Sequence, residues 1–324
     1  MSPRDRTGGM DGVIVVAKPA GPTSHDVVGL VRRLSATKRV GHGGTLDPFA
    51  AGVLPVFLGR ATRLAEYHLG GRKRYRATLC FGETSTTDDI DGDRTTVDGV
   101  PVTREALEAA LVTFTGAQQQ VPPQYSAVQV EGRRAYQMAR AGREVELAPR
   151  DVTMYALTLL EWDGSDPARP VAVVDVTCSA GTYIRALARD LGAHLGSGAF
   201  LGALTRTESG GFTLADAVSF ETLRARAADG PEGLAAILRP MDAGLDDLPH
   251  APVTVDEVRR LWEGLVTGPK TSLAVRDAPI VLAIAPDGST AAVCRAVNGI
   301  LHPDKVFAAR PAVDGRPTPR EEPA

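Results

Sequence analysis

Residues 41–56 read GHGGTLDPFAAGVLPV, with three glycines and a histidine ahead of Thr45-Leu46-Asp47-Pro48 and an apolar run behind it. Glycine costs backbone entropy and is placed where a chain turns sharply or lets another backbone come close. Pro48 fixes its own φ and pushes Asp47 out of helical geometry. The spacing therefore predicts Asp47 at the end of a tight loop, its carboxylate aimed by rigid backbone on both sides. VLPVFLG beyond it reads as a buried strand. A phosphate-cradling loop would carry GK[ST] or GxGxxG spacing, and neither is present. His42 and Asp47 lack partners at metal-ligand spacing, so no metal is expected. On spacing alone, an aspartate capping a turn beside a packed histidine stays open as an alternative.

The rest of the chain bounds the answer. Its 324 residues, 43% hydrophobic, suit one large domain and a small one. A formal net charge of -3 gives no global basic field. Cys80, Cys178 and Cys294 are odd in number and far apart, which fits a reduced cytoplasmic compartment better than a disulfide framework. Neither a signal-peptide core nor a run of membrane-spanning length is visible. Helical spacing marks TSHDVVGLVRRL, with Ser24 as the expected N-cap, as well as TREALEAALVTFTG and IRALARDLGAHLG. KRYRATLCFG, VTMYALTLLEW and VAVVDVTCS read as strands, and TSTTDDIDGDRTT as an exposed turn. Without steady βαβ alternation, this pattern predicts an α+β fold on a large mixed, mainly antiparallel sheet flanked by helices. The expected organisation is a flexible leader at 1–10, a large main domain at 11–240, a small β-rich module at 241–310 and a disordered tail at 311–324.

Several stretches carry candidate chemistry. Arg72, Lys73, Arg74 and Arg76 surround Tyr75, an interleaving of cations and a ring that suits single-stranded nucleic acid. The basic, helix-like GRRAYQMARAG adds Arg133, Arg134, Arg140 and Arg143. Alternation along a strand puts Lys73 on the side of Tyr75, with Arg74 and Arg76 opposite. Tyr183 and Arg185 follow a Ser-Ala-Gly turn near a helix start, Leu204 and Arg206 end a strand, and Lys18 sits in VAKPAGP.

Taken together, GVIVVAKPAGPTSHDVV, GHGGTLDPFAAGVLPVFLGRATRL, KRYRATLCFGETSTTDDIDG, PPQYSAVQVEGRRAYQMARAG, CSAGTYIRALARDLG and LTRTESGGF resemble the bacterial TruB-type tRNA pseudouridine synthases, in order and in spacing. The family loop more often has threonine where this chain has Gly43. Residues 241–310 resemble the family's C-terminal RNA-binding modules of the PUA type. The resemblance implies isomerisation of uridine 55 in the T loop of tRNA by a monomer, with no cofactor, since no redox step occurs and no atom is added. It assigns the essential carboxylate to Asp47, an ion pair that keeps it charged to Arg185, and stacking and proton movement at C5 to Tyr75. Tyr183 and Leu204 would wall the pocket, Lys18 would contact substrate, and His42 would fill the space left by an extruded base. Two other readings compete. One is a tRNA-binding folding factor, against which intact Asp47, Tyr75 and Arg185 stand. The other is a carbohydrate hydrolase, which would need a second carboxylate, whereas Asp88, Asp89 and Asp91 are expected in the exposed turn.

Overall fold

Alternation of buried and exposed side chains along the strands builds the molecule. The computed structural model describes residues 10–308 apart from 127, 131, 144 and 269–275, and leaves out the side chains of Arg134, Tyr136 and Arg140. The expected disordered tail, and the expected leader up to residue 9, lie outside the described residues. Met10 packs on the core that holds Val27 and Val31, and its N–H donates to Thr37 Oγ1 at 3.3 Å. The chain divides into two compact units between Arg239 and Pro240.

In the first unit the strands are β1 (Gly12–Lys18), β2 (Val40–His42), β3 (Ala51–Leu58), β4 (Lys73–Phe81), β5 (Glu83–Ser85), β6 (Arg94–Thr96) and β7 (Gly116–Gln120). They continue as β8 (Gln129–Val130), β9 (Arg133–Arg134), β10 (Arg150–Asp163), β11 (Val171–Cys178), β12 (Ala199–Ser209) and β13 (Phe212–Thr213). The large sheet runs β1-β3-β12-β4-β11-β10-β7, with β2 on β3 and β13 on β12. Only β12 with β3 is parallel, so the sheet is mixed and mainly antiparallel, as the sequence predicts.

Helices α1 (Ser24–Leu34), α2 (Ala65–Leu69), α3 (Arg104–Thr113), α4 (Ala135–Arg140), α5 (Ile184–His194), α6 (Phe220–Ala228) and α7 (Gly230–Ala235) flank it. Leu107 and Leu111 of α3 and Leu187 and Leu191 of α5 share one core with Leu79, Val152, Met154 and Val174 of the sheet. Val27 and Val31 of α1 and Leu223 of α6 share another with Ile14, Leu54 and Val56. Burial on this scale contributes about 25 cal/mol per Å² of apolar area removed from water.

Three local expectations are corrected. Thr23, not Ser24, caps α1, in a reciprocal capping box with Asp26. The Gly-Arg-Arg of the second basic stretch is a β8–β9 hairpin, and the helix starts only at Ala135. The turn after β5 is not simply exposed: Asp89 is 5% accessible. In the second unit, Val255–Trp262 is a helix and His250–Pro252, Ala278–Ile284, Thr290–Val297 and Ile300–Val306 form one four-stranded sheet. No helix among the described residues is long and apolar enough to cross a membrane.

Candidate active site

Asp47 lies in the loop between β2 and β3, and that loop is fastened at almost every residue. Ser24 Oγ accepts from the Leu46 N–H at 2.8 Å and donates to the Leu46 carbonyl at 3.0 Å. Lys18 Nζ donates to the carbonyls of Pro48 (3.2 Å), Ala50 (2.6 Å) and Pro19 (2.9 Å). Its ammonium is thus spent on backbone. Burial pulls its pKa down to about 8, against the attraction of Asp47. From the other side Arg206 donates to Val53 (2.8 Å), Gly44 (3.1 Å) and Thr45 (3.4 Å). Gly44 has φ +118°, a conformation that disfavours any side chain. At Gly52 a Cβ would stand 2.1 Å from the Arg206 carbonyl oxygen, so glycine lets β3 and β12 approach there.

Arg185, in the first turn of α5, meets the carboxylate side-on. Its Nε lies 3.0 Å from Asp47 Oδ2 and its Nη2 3.4 Å from Oδ1. The same guanidinium reaches Asp89 Oδ2 (3.4 Å) and donates to the carbonyls of Thr87 (3.2 Å) and Tyr125 (3.0 Å). One turn on, Arg189 pairs with Asp88 at 3.1 Å, so two arginines at i, i+4 clamp the turn between β5 and β6. Asp89 is occupied by Arg185, by the Thr87 hydroxyl and by the Asp91 N–H. It is a held anion, not a free second acid.

The Asp47 side chain keeps 34% of its exposure, so its carboxylate remains open to a substrate. Burial pushes its pKa above the ordinary value of 3.8; Arg185 pulls it down, and the Asp89 charge pushes it up. The ion pair therefore opposes the desolvation without cancelling it. A carboxylate so placed can act as a nucleophile or accept a proton.

Tyr75, 8% exposed, packs with Leu204, Leu46 and Ala50. Burial raises its pKa, which keeps it a neutral phenol at neutral pH, although the Arg206 charge works the other way. Tyr183 caps α5. Its N–H donates to Gln120 Oε1 (2.9 Å) and its carbonyl accepts from Gln120 Nε2 (3.1 Å). His42 is half-buried, its Nδ1 accepts from the Gly44 N–H at 3.3 Å, and desolvation lowers its pKa so that it stands neutral.

The cations around Tyr75 do not form one patch. Lys73 is buried and donates to His68 O (3.0 Å) and Gly71 O (2.8 Å). Arg74 pairs with Asp175 and Glu208, and Arg76 lies 3.8 Å from Glu161, both on the opposite face of β4. Arg72 lies 4.2 Å over the Tyr155 ring. The sheet itself uses most of this charge.

With the geometry in place, comparison with known proteins assigns the family. Residues 32–184 match the model of the TruB family pseudouridylate synthase N-terminal domain, and 185–246 that of the tRNA pseudouridylate synthase B C-terminal domain. The chain belongs to the TruB family of pseudouridylate synthases. It is 42% identical to the tRNA pseudouridine synthase B of Bradyrhizobium diazoefficiens over 94% of this chain and 87% of that protein. The same enzyme of Dehalococcoides mccartyi is 43% identical over 92% and 97%. Among solved structures, the Cbf5-Nop10-Gar1 complex contains a chain of TM-score 0.73 and 26% identity, covering 92% of this chain and 85% of that one.

Within this TruB chain, Gly43 has a steric cause. A Cβ at 43 would lie 2.9 Å from Phe57 Cε2, so the Phe57 ring fills the room a threonine would need. Sequence reasoning left Asp89, Gln120 and Arg206 without roles and gave Ser24 only a helix cap. Asp89 looked like one of several turn acids, and only its contact with Arg185 singles it out. Arg206 carried a signal, a cation inside an otherwise alternating strand; the sheet sets it opposite Gly52.

Proposed function

We propose that this TruB enzyme isomerises uridine 55 in the T loop of tRNA to pseudouridine, with Asp47 as its essential carboxylate. Pseudouridine synthesis on tRNA follows from relatives named for that reaction at about this identity over most of their length. The observation that carries the finer reading is the Asp47 carboxylate, held by Arg185 on a pinned loop yet still open to one side. Cleaving the C1′–N1 bond and rejoining the base through C5 needs an ionised acid beside a sugar centre of oxocarbenium character.

After C5 joins C1′, the C5 hydrogen leaves as a proton and its electron pair restores the C5=C6 double bond. Tyr75 takes that proton on its oxygen as its own passes to water. Leu204 and Tyr183 wall the pocket against water that would hydrolyse the detached sugar. Reaching a stacked loop uridine requires extrusion, and His42, neutral and on the loop beside Asp47, fills the vacated space. Lys18 supports the loop through its carbonyls, which accounts for its charge without a substrate contact. The second unit is the RNA-binding module of this reading. The enzyme works as a monomer in the cytoplasm, and the redox-neutral isomerisation asks for no cofactor.

Tritium release from a T-arm transcript carrying [5-³H]uridine at position 55 alone tests the assignment. Release by the wild-type chain and none by Asp47→Asn is expected. Tight binding without release would favour the folding-factor reading instead.

A further inference from the structure

Gln118, Gln119 and Gln120 close β7, and only the last of them is buried, at 2% exposure. A buried amide is costly unless it is hydrogen-bonded, and Gln120 gives both of its ends to one residue. Its Oε1 accepts from the Tyr183 N–H at 2.9 Å, and its Nε2 donates to the Tyr183 carbonyl at 3.1 Å. That is the double exchange a neighbouring strand would make with an extended residue. Tyr183 is extended, and its side chain makes no hydrogen bond to cap α5. Gln120 therefore does from a distant strand what a cap does locally. It fixes the residue at which the helix begins.

The chain leaving β7 continues along the same helix. The Val121 carbonyl accepts from Arg189 Nη2 at 2.8 Å, and the Tyr125 carbonyl accepts from Arg185 Nη2 at 3.0 Å. Arg185 has no donor left over. Its Nε and Nη2 face the Asp47 carboxylate, Nη2 also reaches Tyr125, and Nη1 reaches the Thr87 carbonyl and Asp89. A guanidinium holds its N–H groups in a rigid planar fork, so these acceptors are all met only when the Arg185 backbone stands in one place. We propose that Gln120 is a positioning residue for the Arg185–Asp47 pair: its amide sets where α5 starts, two residues ahead of Arg185, and so aims the guanidinium at the acid. Gln120 itself touches neither charge.

This inference rests on the reading of Asp47 as an acid that Arg185 keeps ionised, and its test separates the two. Asp47 faces the charges of Arg185 from α5, Asp89 from the turn after β5 and Lys18 from β1. Of these only Arg185 follows Tyr183 in the same helix, so loosening the helix start weakens the main attraction that favours the carboxylate. Single-turnover rates on a T-arm stem-loop, and affinity for it, are measured across pH for the wild type, Gln120→Met, Arg185→Met and the double variant. Gln120→Met keeps the side-chain length and drops both hydrogen bonds. It is expected to slow turnover near neutrality about tenfold or more, with affinity within about twofold of wild type. The acidic limb of its pH–rate profile should move to higher pH, as it does in Arg185→Met. In the Arg185→Met background the same change should move that limb no further. A limb that stays in place in Gln120→Met, or a shift that adds to that of Arg185→Met, means that the glutamine acts through packing alone and overturns the proposal. A limb unmoved by Arg185→Met overturns the reading of the ion pair, and this assignment with it. Should Gln120→Met fail to fold in a melting experiment, Gln120→Asn, which keeps the amide but draws it back by a methylene, replaces it in the same comparison.

Discussion

Replacing Arg185 with methionine removes the Asp47 contacts at 3.0 and 3.4 Å, the Asp89 contact at 3.4 Å and two carbonyl acceptors, at nearly constant volume. Breaking a buried pair by deleting one partner costs about 3–5 kcal/mol, because the other charge stays behind uncompensated. Asp89 is fully subject to that cost, its side chain being 7% exposed. Asp47, at 34%, is partly screened by water. The low end, about 3 kcal/mol, is therefore expected near neutral pH. The sign with pH follows from linkage. A carboxyl whose native pKa is raised contributes stability that is complete below its unfolded value and is lost as pH rises through the native value. Without Arg185 the native value of Asp47 climbs further, so the stability gap to wild type should widen as pH rises from the ordinary carboxylate range through that raised value. Catalysis shares the cause: turnover near neutrality should fall about tenfold or more, some 1.4 kcal/mol of barrier, and the acidic limb should move to higher pH. Arg185→Lys, which keeps the charge without the fork, should lie between. Tritium release across pH and urea unfolding at both ends of the range are the assays. An acidic limb that stays in place, or a loss of stability below about 1 kcal/mol, would refute the pairing as the source of ionised Asp47.

Asp47→Asn should fold and bind tRNA nearly as wild type while losing pseudouridine formation; turnover within about tenfold of wild type would contradict its role. Gly43→Thr should destabilise the chain by about 1–3 kcal/mol through the clash with Phe57, and Phe57→Leu in the same chain should recover part of it; a single variant as stable as wild type in urea would contradict the steric account. Replacing Arg133 and Arg134 with glutamine should lower the slope of log affinity against log salt by about 0.7–0.9 for each phosphate no longer neutralised, equally for different tRNAs. An unchanged slope would make that hairpin an ordinary solvated surface.

The local features of this chain were legible in its sequence because they rest on nearest neighbours. Alternation fixed which side of β4 Tyr75 and Lys73 share, Pro48 and Gly44 marked the Asp47 loop, and periodicity placed Arg185 at the start of a helix. Motif order then pointed to the family. Charge was where sequence reasoning failed, since a side chain's electrostatic meaning depends on partners that are distant in the chain. Alternation split Lys73 from Arg74 and Arg76, but only the sheet set Asp175, Glu208 and Glu161 beside the two arginines and buried the lysine. Asp89, one of three acids in a turn, gained its place only when Arg185, 96 residues on, closed over it. Ser24 gave up the cap that propensity assigned it because Leu46 offered a buried N–H and carbonyl at the right distance. Pairings of this kind belong to strand register and loop closure. They cost chain entropy that only the assembled sheet offsets, and so the tertiary structure alone decided them.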